Sequence, residues 1–210
     1  MPTLYDRIQG RNLDRLAALS DGIFAVAMTL LVLDLHVPAA QVHGEHELLA
    51  ALGALAPQWI TYGMSFLTLG IFWAGQQTQL NHFAEGSRDL TWIHLGFLFA
   101  TTALPFTTHL LAEFIEYRVA LGLYWFNILV LGAMLFWSWS YASRAGLVKH
   151  DTPAEVSGSI CKRIVIAQSL YAAGAALCFI HAWMSITAIV LVQLNYALAP
   201  RFWWRKHAKA

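Results

Sequence analysis

The sequence predicts an all-α membrane protein with six transmembrane helices, and three observations predict it. Hydrophobic residues make up 58% of the 210 residues. Charged residues are 12% of the chain, against roughly 25% in an average soluble domain. The charges are also segregated, because residues 48–84, 90–112, 119–143 and 164–200 contain no Asp, Glu, Lys or Arg. About 20 apolar residues cross a bilayer core of about 30 Å, so these windows read as membrane-crossing. The net charge of +1 shows no basic face and argues against a nucleic-acid partner. Cys161 and Cys178 lie too far apart for a metal or redox motif,.

The elements follow in order. The first 18 residues are polar and charged, without the short apolar core of a cleavable leader,. The first span runs from about residue 16 to 35, carries Asp21 inside it and is closed by Asp34 and Pro38. In the 48–84 window Pro57 follows only nine apolar residues, about 14 Å of helix and too short to cross,. That lead-in is therefore placed outside, with the second span at about 55–80. Spans three (about 91–112) and four (about 119–142) are plain. The last window exceeds one crossing and is read as two, about 162–181 and 184–201, joined by a tight turn near His181–Ser185.

The positive-inside rule sets the count. With six spans, Arg7, Arg11, Arg15, Arg88, Arg144, Lys149, Lys162, Arg163, Arg201, Arg205, Lys206 and Lys209 all lie inside, leaving Arg118 outside. Five spans would move the four C-terminal basic residues out. Six spans with both termini cytoplasmic is the consistent arrangement. Trp137, Trp139, Tyr141, Trp203 and Trp204 then fall at the inner interface, where aromatic belts form,.

The first span is the unusual one. A carboxylate in a membrane helix faces protein or water and has partners, and otherwise marks the headgroup level. On a helical wheel, Gly22, Val26, Thr29, Leu30 and Leu33 share one face, while Asp21 falls about 140° from Val26,. That stripe is compatible with a pore lining and equally with lipid contact. Trp73, Gln76, Gln77, Trp92 and His94 stand at matching depth to Arg15, Ser20 and Asp21. They form either one buried polar network or a set of separate interfacial anchors. His36, His43, Glu45, His46 and Glu47 read as a solvated outer loop, since no metal spacing is fixed. Pro105 reads as a packing kink beside Thr101 and Thr102. His109 and His181 read as structural residues of the outer face, and Arg118 with Glu113 and Glu116 as a solvated loop. No catalytic signature is found, so no enzyme activity, cofactor or resident metal is expected.

The run from Arg15 through Leu19-Ser20-Asp21 to Leu35 resembles the opening helix of the prokaryotic transmembrane protein 175 family of potassium channels, whose hallmark is R-x-x-x-F-S-D. Leu104-Pro105-Phe106-Thr107 with Glu113-Phe114 resembles its third span, and Phe72-Trp73 its second, so the likeness covers most of the chain. Leu19 replaces the usual Phe, and Gln76-Gln77 stand where many relatives carry a His pair.

The resemblance implies a homotetramer of six-span subunits in the cell membrane, with four first helices around a central pore. It places the narrowest ring at Val26, with Leu30 and Leu33 above it and Thr29 at a hydroxyl position tied to selectivity. Arg15, Ser20, Asp21 and Trp73 would hold the helix from behind. The implied function is passive, potassium-preferring conduction of monovalent cations, through hydrophobic rings rather than a carbonyl filter. The alternatives are a coupled secondary transporter, a proton leak and a non-conducting membrane scaffold. A transporter would show inverted repeats and a mid-membrane charged site, whereas Asp21 lies near one end and no repeat is visible.

Overall fold

The structure is a computed structural model and describes residues 13–37 and 43–198. The basic residues Arg7, Arg11, Arg201, Arg205, Lys206 and Lys209, the belt residues Trp203 and Trp204, and Pro38 lie outside the described residues. Eight α-helices follow one another there: α1 (Leu13–Leu30), α2 (Glu45–Ala54), α3 (Ala56–His82), α4 (Arg88–Thr102), α5 (Leu104–Glu113), α6 (Arg118–Arg144), α7 (Ala154–Ala176) and α8 (Ala182–Leu198). Short 3₁₀ turns extend α1 over Leu31–Asp34 and α7 over Leu177–Phe179.

Local chemistry explains most boundaries. Pro57 occupies the first turn of α3, where its missing N–H costs nothing,. The Ser87 side chain accepts from Leu90 N at 3.2 Å and caps α4,. Gly146 (φ 69°) ends α6, and Leu147 N reaches back to Ala142 O at 2.9 Å, a glycine stop in which only Gly takes the left-handed turn without strain,. Pro105 does more than kink the third span. It divides it into α4 and α5 at Ala103, because the ring excludes the carbonyl four residues earlier. The main chain at this break is held by Asn127, whose Nδ2 donates to Ala100 O at 3.1 Å.

Among the described residues, four stretches are long and apolar enough to cross a membrane: Leu13–Asp34, Arg88–Glu113, Arg118–Arg144 and Glu155–Phe179. Helix α3 is long enough, at about 40 Å for its 27 residues,, but it is more polar than these. The reason is its position. It contacts α1, α5, α6 and α8, and its polar residues Thr61, Ser65, Thr68, Gln76 and Gln79 are buried among them. A helix enclosed by protein need not be apolar all round. Helix α8 is apolar but short over its described residues.

The remaining packing closes a bundle: α1 lies on α3 and α4, α4 on α6, α6 on α7, α7 on α8, and α8 returns to α3. Leu69, Phe72, Phe97, Leu104, Ile128 and Ile189 form its centre. Gly174 lets α7 and α8 approach so closely that an added Cβ would lie 3.3 Å from Ile189, and Ser185 Oγ donates to Gly174 O at 2.7 Å there. A second apolar cluster closes one end, with Leu16, Leu80, Phe83, Leu90 and Trp139. This corrects the reading of Trp139 as an interfacial anchor. It is buried, stacks on Phe83 at 5.8 Å, and donates to Ser157 Oγ at 3.2 Å.

Helix α1 shows two faces. Leu16, Ser20, Phe24, Ala27 and Leu31 are buried, whereas Val26 (57%) and Leu33 (70%) are exposed. Replacing Leu31, which is 1% exposed, by Asn removes core contacts and strands an amide. We expect a loss of about 3 kcal/mol or more, seen as a large fall in thermal stability of the purified protein.

Candidate functional site

The polar residues of α1 sort into two sets. Ser20 is fully buried, and its hydroxyl donates to Gln76 Oε1 on α3. Gln76 Nε2 lies 3.1 Å from His94 Nδ1 on α4, and His94 Nε2 lies 3.1 Å from Ser138 Oγ on α6. The directions are consistent. An amide N–H can only donate, so Nδ1 accepts, Nε2 carries the ring proton, and Ser138 accepts in turn. One relay of four side chains thus ties α1, α3, α4 and α6 together.

Asp21 belongs to a second, exposed set. One of its oxygens accepts from Trp73 Nε1 at 2.7 Å and from Gln77 Nε2 at 2.8 Å. The polar residues are therefore neither one buried network nor a scatter of separate anchors. Adjacent residues on each helix, Ser20 with Asp21 and Gln76 with Gln77, pair across the α1–α3 contact, one pair inside and one outside. Trp92 is 63% exposed and joins neither set. Arg15 is exposed, a turn and a half before Asp21.

Val26, Thr29, Leu30 and Leu33 are all exposed on the face away from the bundle. Thr29 Oγ1 donates to Val26 O at 2.8 Å, so its proton is used within its own helix while the oxygen can still accept,. At the far end of α1, Asp34 Oδ1 lies 3.2 Å from His109 Nδ1 on α5, and His36 Nδ1 lies 3.1 Å from Asp34 O. His109 thus has a specific partner on the first span. Arg118, Glu113 and Glu116 are all exposed around the turn between α5 and α6, as expected, and Arg118 has a specific contact there besides. Its guanidinium sits 5.7 Å above the Phe179 ring, with Nη2 3.4 Å from Phe179 O. His181 Nδ1 accepts from Trp183 N at 3.2 Å in the turn before α8. In the outer segment, Glu47 Oε2 accepts from His43 N at 2.6 Å. Among the described residues no three His, Cys, Asp or Glu side chains converge as metal ligands.

The comparisons with known proteins bear on this arrangement. The family described as endosomal/lysosomal potassium channel TMEM175 matches residues 15–105, which include the exposed set and all of the buried set but Ser138. A potassium channel of Streptomyces collinus is 33% identical over 189 residues, 87% of this chain and 90% of its own length. This chain belongs to the TMEM175 family. A second potassium channel, of Chamaesiphon minutus, is 28% identical over 88% of this chain and 93% of its own. The crystal structure of a lysosomal potassium-selective channel TMEM175 homolog from Chamaesiphon minutus superposes with a TM-score of 0.79 at 27% identity, covering 89% of this chain and 97% of that one. The mouse endosomal/lysosomal proton channel TMEM175 is 33% identical over 98 residues, 44% of this chain and 20% of that much longer protein.

Within this TMEM175-family chain, the Gln76-Gln77 pair closes both sets with neutral amides. Sequence reasoning missed Ser138 and a further buried chain on α3. There Thr108 Oγ1 donates to Ser65 Oγ (2.7 Å), Ser65 to the Tyr124 hydroxyl (3.2 Å), and Gln193 Nε2 to Thr68 Oγ1 (2.7 Å), which lies 3.0 Å from the same Tyr124 hydroxyl. A signal was present: Thr61, Ser65, Thr68, Gln76 and Gln79 fall on one helical face, with only Phe72 interrupting the polar stripe along the enclosed side of α3,. Replacing Gln76 with Leu leaves the Ser20 hydroxyl and His94 Nδ1 without partners in a dry interior. The expected loss is about 1–3 kcal/mol for each stranded group, read as a fall in thermal stability larger than that of Gln77→Leu at the exposed set.

Proposed function

We propose that this chain is the subunit of a potassium-preferring cation channel, conducting passively through a central pore lined by α1. It is not an enzyme, as its relatives named over most of its length are ion channels. The observation that carries the pore assignment is the open face of α1. An exposed carboxylate, Asp21, flanks the exposed stripe of Val26, Leu30 and Leu33. It lies about 12 Å along the helix from Leu13,. Hydrocarbon on that flank would leave the charge facing lipid, at a cost that rises to about 2.5 kcal/mol only at mid-bilayer. Near the end of the span the compatible surroundings are water, headgroups or a neighbouring subunit, and a pore face supplies the first and the last.

In this reading the chain forms one six-span unit over residues 1–210, with both termini cytoplasmic in the cell membrane. The spans are α1, α3, α4 with α5, α6, α7 and α8, and four copies place their α1 helices around one axis. Val26 makes the narrowest ring, with Leu30 and Leu33 beyond it, and four such side chains exclude water and ions by dewetting. Thr29 lies on the same face; its hydroxyl proton goes to Val26 O, which leaves the oxygen lone pairs to face water or a passing cation. Arg15, Ser20, Asp21 and Trp73 hold α1 in place rather than touch ions. No cofactor takes part, and potassium is the permeant ion.

The test is potassium flux from liposomes holding the purified protein, with sodium, caesium and proton-gradient arms in parallel. Potassium flux without need of a second gradient is expected, from particles of tetramer mass; monomers alone, or flux only when driven by protons, would overturn the reading. Val26→Asn should wet the ring, raising potassium flux and weakening discrimination against sodium. An assembled Val26→Asn protein with unchanged flux would place the pore face elsewhere. Asp21→Ala frees the Trp73 and Gln77 donors and should lower the yield of assembled particles, with the ion preference of those that form unchanged.

A further inference from the structure

A cavity of about 480 Å³ lies between α3, α6, α7 and α8, apart from α1 and its polar sets. Its size falls within the roughly 300–1,000 Å³ of small-molecule sites. The walls are mostly apolar. Towards the middle of the helices they are formed by Phe66, Gly70 and Tyr171, and at the end where α3 finishes and α7 begins they include Arg163 and Tyr196.

Three features define the occupant. First, Arg163 is exposed at that end, and no ion pair or hydrogen bond of its guanidinium is found among the described residues. Second, the Tyr171 hydroxyl is buried in the wall, at 1% residue exposure, without a hydrogen-bond partner. Of the neighbouring amides, Gln79 and Gln168 direct their Nε2 atoms to Leu135 O and Ile128 O, and their Oε1 atoms are likewise buried without a hydrogen-bond partner. Third, Gly70 removes a side chain where one would fit, because an added Cβ there meets nothing within 4 Å. The wall thus offers a cation at its mouth, a hydroxyl donor within, and an apolar slot.

The geometry points to a binding site for an anionic glycerophospholipid. Its phosphate sits at Arg163, its ester oxygens provide acceptors for Tyr171, and one acyl chain lies along Gly70 and Phe66. The charges favour this occupant over a zwitterionic lipid, because basic pockets between membrane helices hold anionic headgroups. The lipid would brace α3 against α7 and α8 from the side opposite α1. The inference does not depend on conduction.

Native mass spectrometry of the purified full chain tests it, with dioleoylphosphatidylglycerol, dioleoylphosphatidylcholine and inorganic phosphate as separate probes. Phosphatidylglycerol should bind more tightly than phosphatidylcholine. Arg163→Ala should weaken phosphatidylglycerol about fivefold, the value of one basic side chain near an anionic surface, and leave phosphatidylcholine unchanged. Lys162→Ala, beside it but outside the cavity wall, should change neither. Gly70→Leu fills the slot and should weaken both lipids. Equal binding of the two lipids, full retention of phosphatidylglycerol by Arg163→Ala, or equal loss in Lys162→Ala would overturn the site. So would inorganic phosphate matching the lipid with no effect of Gly70→Leu, which would mean an anion site without a lipid slot. Absence of any bound lipid because a second copy covers this face would overturn it too.

Discussion

Hydrocarbon supplies no hydrogen bonds, so a polar side chain inside a membrane bundle must find its partner in the protein. The arrangement of this chain follows from how it meets that demand at one place, the relay from Ser20 through Gln76 and His94 to Ser138. Four helices contribute one residue each, and each residue has only one sensible partner on either side. Shifting α1 along its axis by a single turn would strand Ser20 against the apolar surface of Phe72 and leave Gln76 half satisfied. Apolar packing alone tolerates such slippage, since one leucine replaces another at small cost. The relay does not, and it is what sets the register of α1 against α3.

That register decides what α1 can present. With Ser20, Phe24, Ala27 and Leu31 turned inward, the stripe of Val26, Leu30 and Leu33 is forced outward, and Asp21 is left on the flank between them. Its two donors, Trp73 and Gln77, come from the same stretch of α3 that carries Gln76. One short segment of α3 therefore governs both the buried and the exposed contacts of the first helix. At the other end, the 3₁₀ turn and the Asp34–His109 contact tie α1 to α5. The helix is held by polar contacts near both ends and by Phe24 and Ala27 in the core between them, and only its outward face is left uncovered.

How much of this was legible in the sequence depends on the kind of residue. The all-helical membrane class and the separateness of the first span could be read from charge-free windows and from a lone carboxylate. The family could be recognised in the Arg15–Asp21 run. The α1 stripe was visible on a wheel, since helical periodicity needs no partner. Partner identities were not visible. Gln76 and Gln77 look alike as adjacent amides, yet one is enclosed and the other faces out. Trp139 looked like an interfacial aromatic and is a core residue, because the loop carrying Phe83 folds over it. Arg118 has two acidic neighbours in sequence and instead meets the end of α7.

By itself, the sequence determined that the chain is a helical membrane protein and which face of the first helix is apolar, because both follow from composition and a period of 3.6 along one segment. Only the tertiary structure decided that α3 is the enclosed helix, that the third span is divided at Ala103, and that the polar residues of α1 split between a buried relay and an exposed clasp. Those outcomes depend on which helices become neighbours. A hydrogen bond between residues 56 apart, such as Gln77 to Asp21, leaves no trace in the local pattern at either end.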